Sequence, residues 1–203
     1  MSLIRQFILQ DPNDNTRLGE FDNKFQVPIH ISVEHHEIHE GDSFERHIDS
    51  ANAAVATMNV AFKTLAGTKL AHTLFGYGMS DEVLIEIIEG ATWTQGSGSL
   101  LTVFNHERDS GGSSELILEN QGQPTFTASN AIIKDVTGIA GGTIFENQYT
   151  YNAGLGASMT AETRTDGHEW VLKANTTYII RVTQTGGNCK MSIDLHWYEH
   201  TTE

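Results

Sequence analysis

Apolar and polar residues alternate most regularly near the end of the chain. In CKMSIDLHWYEH, Cys189, Met191, Ile193, Leu195 and Trp197 take every second place, with Lys190, Ser192, Asp194, His196 and Tyr198 between them. A period of two with one apolar side marks a strand that buries one face. Just upstream, TTYIIRVTQTGG puts Tyr178, Ile180 and Val182 in one phase, then offers Gly186, Gly187 and Asn188 as a turn. The two segments together predict a β-hairpin. EVLIEIIEG over 82–90 sets Val83, Ile85 and Ile87 against Glu82, Glu86 and the less polar Leu84 and Ile88, which predicts a strand partly covered on both faces. Further strands are expected at 27–38, 43–49, 70–77, 99–106, 125–133, 143–151 and 168–173.

SANAAVATMNVAFKTLAG supports two readings. Val55, Met58, Phe62 and Leu65 recur at helical spacing, with Gly67 placed to end a helix, while Met58, Val60 and Phe62 also alternate with Asn59, Ala61 and Lys63. We read it as a strand. Gly is plentiful (19) and Pro scarce (3), and the β-branched blocks are separated by clusters of Gly, Asn, Asp and Ser. The predicted fold is all-β: an antiparallel, jelly-roll-like β-sandwich over 27–203, preceded by an extended N-terminal arm over 1–26. In the arm, isolated apolar anchors sit in polar, turn-rich sequence with no sustained period, which suits either a frayed terminus or a docking segment. GSGS at 96–99, RDSGGSS at 108–114 and NAGLGAS at 152–158 read as loops.

Charge narrows the partners. Twelve Lys and Arg against 26 Asp and Glu give a formal charge of -14, which opposes approach to phosphate and argues against DNA or RNA as a direct partner. SLIRQFILQ is short, is split by Arg5 and runs into DPNDN without a small-residue cleavage site, so it does not read as a signal peptide. No stretch approaches the roughly 18 apolar residues of a membrane span. These features lead us to expect a soluble, cytoplasmically made protein. The lone Cys189 excludes an intramolecular disulfide and reads as a buried thiol.

HHEIHEGDSF, at 35–44, carries the densest candidate chemistry. The helical zinc-protease motif needs two histidines four apart around a Glu. Here the position four after His36 is Glu40, and between His35 and His39 the place of the Glu is taken by His36, so the spacing fails. As a strand, Ile29, Ile31 and Val33 would form the apolar face, continued by His35, Glu37 and His39 with same-face neighbours roughly 6.6 Å apart. Such a set needs a ligand from another strand, and no second histidine cluster is identifiable, so no metal site and no cofactor are assigned. In DLHWYEH, Asp194 and His196 share a face and His200 lies beyond, which reads as the outer face of a strand, with Trp197 a core anchor. There is no G-x-S-x-G elbow and no phosphate-cradling Gly-rich loop. No catalytic residue is named and the protein is not expected to be an enzyme.

Several segments carry a likeness beyond their chemistry. IHEGDSF at 38–44 and HEWVLKANTTYIIRVTQTGGNCKMSIDLHWYEHT at 168–201 resemble a family of small virion proteins of tailed bacteriophages, in which an I-H-E-G-K-x-F-like stretch precedes the first core strands. In that family the chain closes with an E-W-I-L-K-P-N-T-x-Y-like strand and a last strand ending in E-W-Y-E-H. IIEGATW at 87–93 and FNHERDSGGSS at 104–114 are similar to its E-G-A-T and N-R-N-R-N-S-S segments, so the likeness runs in order from about residue 38 to 201. Asp42, Ala174 and Glu107 depart from a basic residue, a proline and a basic, Ser-rich loop. The resemblance implies a capsid decoration (cement) protein on the capsid exterior of the virion, made in the host bacterial cytoplasm. Its partners would be the major capsid protein and itself, as a homotrimer. On this expectation Ile4, Phe7, Ile8 and Leu9 of the arm are the candidate capsid contacts. The alternative is a receptor- or glycan-binding module of a phage fibre or tail.

Overall fold

The computed structural model describes residues 8–11, 14–18, 38, 40–50, 52, 54–64, 66–67, 69–109, 114, 116–117, 131–150, 159–162 and 169–201. The chain falls into two compact units, residues 1–36 and 37–203. In the first, β1 (Ile8–Asp11) and β2 (Asp14–Leu18) pair antiparallel, Ile8 opposite Leu18, with the register shifting between Leu9 and Asp11. Of the arm's candidate contacts, Ile8 and Leu9 lie in β1, while Ile4 and Phe7 lie outside the described residues. The expected boundary at 26/27 and most of the expected strand at 27–38 also fall outside them.

The second unit is the expected all-β, antiparallel sandwich. One sheet has the order β11 (Thr143–Thr150), β6 (Val83–Glu89), β14 (Thr177–Gln184), β4 (Thr57–Thr64), β10 (Ala131–Lys134), β7 (Ser99–Thr102), with β9 (Leu116–Ile117) also paired to β4. The other has the order β12 (Met159–Glu162), β5 (Lys69–Met79), β15 (Met191–Thr201), β3 (Ser43–Asp49), β8 (Phe104–Asn105), with β13 (Trp170–Val171) also on β5. Alternation dictates what meets between the sheets. Met58, Val60 and Phe62 of β4, Val83, Ile85 and Ile87 of β6, and Tyr178, Ile180 and Val182 of β14 share one core with Phe75 and Tyr77 of β5 and Ile193, Leu195 and Trp197 of β15. Each such side chain contributes about 1.5–3 kcal/mol by leaving water. The ambiguous 50–67 segment is a strand at β4 because β14 and β10 flank it on both sides, and that pairing satisfies its backbone.

The first sheet is also covered locally on its outer side. Ala61, Ile88, Ile133 and Ile179 form a second buried cluster with Ala91, Trp93 and Val136. These last three come from segments laid back over the sheet and joined by a Thr92–Ala140 bridge. Gly142, at φ 84°, makes the close approach possible, since a Cβ there would lie 2.8 Å from Ile88 Cγ2 and 2.9 Å from Ala91 Cβ. The two-sided covering expected of 82–90 is therefore present, with Glu86 held by Arg181 at 3.2 Å.

Two expectations are corrected. The predicted hairpin between 178 and 198 does not form: β14 pairs with β4 and β6, while β15 pairs with β5 and β3. Each strand still turns its apolar face inward, one from each sheet, so Tyr178, Ile180 and Val182 meet Ile193, Leu195 and Trp197 within one core. Residues 185–190 instead cross between the sheets beside the β5–β6 crossing at 80–82. Ser80 and Lys190 exchange hydrogen bonds there (3.0 and 2.9 Å), and the Asp81 amide donates to the fully buried Cys189 Sγ at 3.2 Å. The single strand expected over 99–106 splits at buried Val103 into β7 and β8, which belong to different sheets.

Candidate functional site

From Met191 to Glu199 the odd-numbered residues of β15 point into the core, so its even-numbered ones line the outer face of the second sheet. Register then decides their company. Asp194 lies opposite His47, His196 opposite Glu45 and Tyr198 opposite Ser43 on β3, while Tyr198 faces His72 on β5. The result is a row of imidazoles and carboxylates in three separate groups.

At one end His47 Nδ1 bonds Asp194, and its Nε2 lies 2.9 Å from Asp49 Oδ1. The Asp194 hydrogen bond is the main reason the His47 pKa is raised; partial burial works against it and the charges of Asp194 and Asp49 add to it. At the other end the His72 ring stacks on Tyr198 (centroids 4.7 Å) and lies 4.6 Å from His200, and both His72 Nδ1 and the Tyr198 hydroxyl bond Glu169.

Between these groups, Glu45, His106 and His196 each bring one ligand atom into a set whose members lie within 4.8 Å of one another. Glu45 Oε2 is 3.3 Å from His106 Nε2 and 3.9 Å from His196 Nδ1, and the two rings are 5.8 Å apart at 28°. All three residues are half-buried. His106 follows β8 and is fixed twice by Ser43: its amide donates to the Ser43 carbonyl at 2.9 Å, and its Nδ1 lies 2.8 Å from Ser43 Oγ. The Asn105 amide group donates to the Gly41 carbonyl at 2.6 Å and so anchors the same turn.

The outer-face placement expected for Asp194, His196 and His200 is observed, and Trp197 is a core residue at 2% exposure. The structure distributes the three polar residues over three groups rather than converging them. His35, His36 and His39 lie outside the described residues. Sequence reasoning missed Glu45 and His106. Glu45, His47 and Asp49 share one phase of an expected strand, a usable signal, but nothing in the chain announces that His106 returns 61 positions later to the same spot.

Comparison with family models, with curated proteins and with solved structures found no match.

Proposed function

We propose that this protein is a capsid decoration protein of a tailed bacteriophage, bound as a homotrimer to the major capsid protein on the outside of the shell and acting by adhesion rather than catalysis. The observation that carries this is the ordered likeness over residues 38–201, whose segments coincide with the framework of the sandwich. IHEGDSF leads into β3, IIEGATW runs from β6 into the Trp93 cover, and the closing HWYEH lies on β15, between β5 and β3. Asp42, a departure from the family pattern, holds Lys69 at 2.6 Å, so the acidic residue has a local partner. A charge of -14 suits a protein on the outside of a DNA-filled shell, which needs solubility rather than phosphate contacts. Exposed Ile144 and Tyr149 on β11 and Trp170 and Val171 on β13 supply apolar surface for subunit or shell contacts.

The test is electron microscopy of purified particles with the protein labelled. Many copies spread over the head are expected. A few copies at one vertex or on the tail would overturn this reading in favour of a receptor- or glycan-binding module. Sedimentation should give three times the 22.4 kDa chain mass; a monomer would remove the trimer from the proposal.

A further inference from the structure

We propose that Glu45, His106 and His196 form a binding site for a zinc-class divalent ion, which staples the turn after β8 to the β3–β15 ladder. Two imidazoles with one carboxylate are a borderline-soft donor set that suits Zn(II), Ni(II) or Co(II) rather than Ca(II) or Mg(II), which take oxygen ligands. The distances favour a shared ion over direct pairing. A charge-assisted hydrogen bond between imidazolium and carboxylate would bring the heavy atoms to about 2.7–2.9 Å. Glu45 Oε2 stands instead at 3.3 Å from one ring and 3.9 Å from the other. Ligand bonds of about 2.0–2.1 Å in a tetrahedron place the donor atoms about 3.3–3.4 Å apart. One edge is already at that value, and the others close by small side-chain torsions within a set spanning 4.8 Å.

The frame is built to hold these donors. His196 and Glu45 are register partners on adjacent strands, and Phe104, two residues before His106, pairs with Glu45. Ser43, 3% exposed, lies 2.8 Å from His106 Nδ1. With Nδ1–H donating to Ser43 Oγ, the lone pair of Nε2 faces Glu45, which is the tautomer a metal requires and the outer-sphere support ligating histidines use. The fourth position of the tetrahedron is left for water. Asp194, Asp49 and Glu169 on the same face add negative potential that attracts a cation.

The experiment uses the full-length, untagged protein, stripped with a chelator and titrated with Zn(II) by calorimetry and with Co(II) by visible absorption. Expected are saturation at one ion per chain for this site, the intense d–d bands of a near-tetrahedral nitrogen and oxygen site, and a chelator-reversible rise in the thermal midpoint. Glu45→Gln, His106→Gln and His196→Gln, all on the outer face, should each weaken binding about tenfold or more while circular dichroism stays unchanged. A triple His35→Gln, His36→Gln, His39→Gln variant should bind as the parent does. No saturable binding, or only six-coordinate Co(II) spectra, would overturn the proposal whatever the variants do. So would binding that survives the His106→Gln, His196→Gln double variant and vanishes in the triple one. The site does not depend on capsid decoration, so particle microscopy and metal titration fail independently.

Discussion

Trp197 and Glu199 occupy successive inward positions of β15, and the carboxyl group is as deeply buried as the apolar residues before it, at 1% exposure. The indole Nε1–H donates to Glu199 Oε1 at 2.8 Å and lies 3.2 Å from Ser114 Oγ, while the Ser114 hydroxyl donates to the same Oε1 at 2.7 Å. Replacing Glu199 by Ala removes an acceptor shared by two buried donors. Such bonds contribute about 1–3 kcal/mol each, but the burial of the carboxyl group itself costs part of that, so we expect a net loss of about 2–3 kcal/mol. Trp197→Phe keeps a ring on Phe44, which stacks at 5.7 Å. It deletes the N–H and leaves a small void, for a loss of about 2–3 kcal/mol. Because both changes break the same bond, the double variant should fall short of the sum by about 1 kcal/mol or more. Urea unfolding followed by far-ultraviolet circular dichroism at fixed protein concentration measures all four proteins. Additivity within about 0.5 kcal/mol would refute the claim that these residues act as one hydrogen-bonded unit.

Gly142→Ala should cost about 2–4 kcal/mol in the same assay, since its Cβ would enter the second cluster from a left-handed backbone; Gly141→Ala, at φ 69° with nothing within 4 Å, should cost about 1–2. Equal losses would mean that crowding against Ile88 and Ala91 is irrelevant. Burial, and secondarily the charge of Glu89, push the Tyr178 pKa up to about 12, against a lowering by the Lys173 amide that donates to its hydroxyl; burial likewise raises that of Tyr77. A raised folded-state value means this contribution is complete below about pH 10, the unfolded value, and is lost as the pH climbs through 12, up to about 3 kcal/mol for Tyr178. Tyrosinate absorbance should show a component near pH 12 that disappears in Tyr178→Phe, and ionisation of that residue near pH 10 in the folded protein would contradict the burial. On the proposed capsid role, deleting residues 2–25, which carry Ile4, Phe7, Ile8 and Leu9, is expected to lower occupancy on purified heads, and unchanged occupancy would take the arm out of that proposal.

Strand identity was largely legible because a half-buried strand needs apolar residues at every second place whatever its neighbours are. The pattern at 189–197 marked Cys189, Met191, Ile193, Leu195 and Trp197 as core, and all five are buried. Glu199 broke the pattern as a sequence and keeps it as a structure, because the indole N–H and the Ser114 hydroxyl replace the water its carboxyl group loses. The short strands β1, β2, β9 and β12 went unrecognised, since a few residues do not complete a period. At the outer face, the separate roles of Asp194, His196 and His200 were illegible because each is set by the opposite strand.

Alternation and composition were enough to determine the class of fold, the inward faces of β4, β6, β14 and β15 and the buried state of Cys189 and Trp197, since these follow from which side chains leave water. Which strand lies beside which was decided only in three dimensions. The turn-like TGGN sequence crosses between sheets instead of closing a hairpin, because each flanking strand is paired on both edges by strands far off in the chain, β14 by β4 and β6 and β15 by β5 and β3. The register between β3 and β15 brings Glu45, His106 and His196 together from distant parts of the chain, and it is set by which apolar faces must be buried together and by the connections between strands, neither of which is written in the three residues themselves.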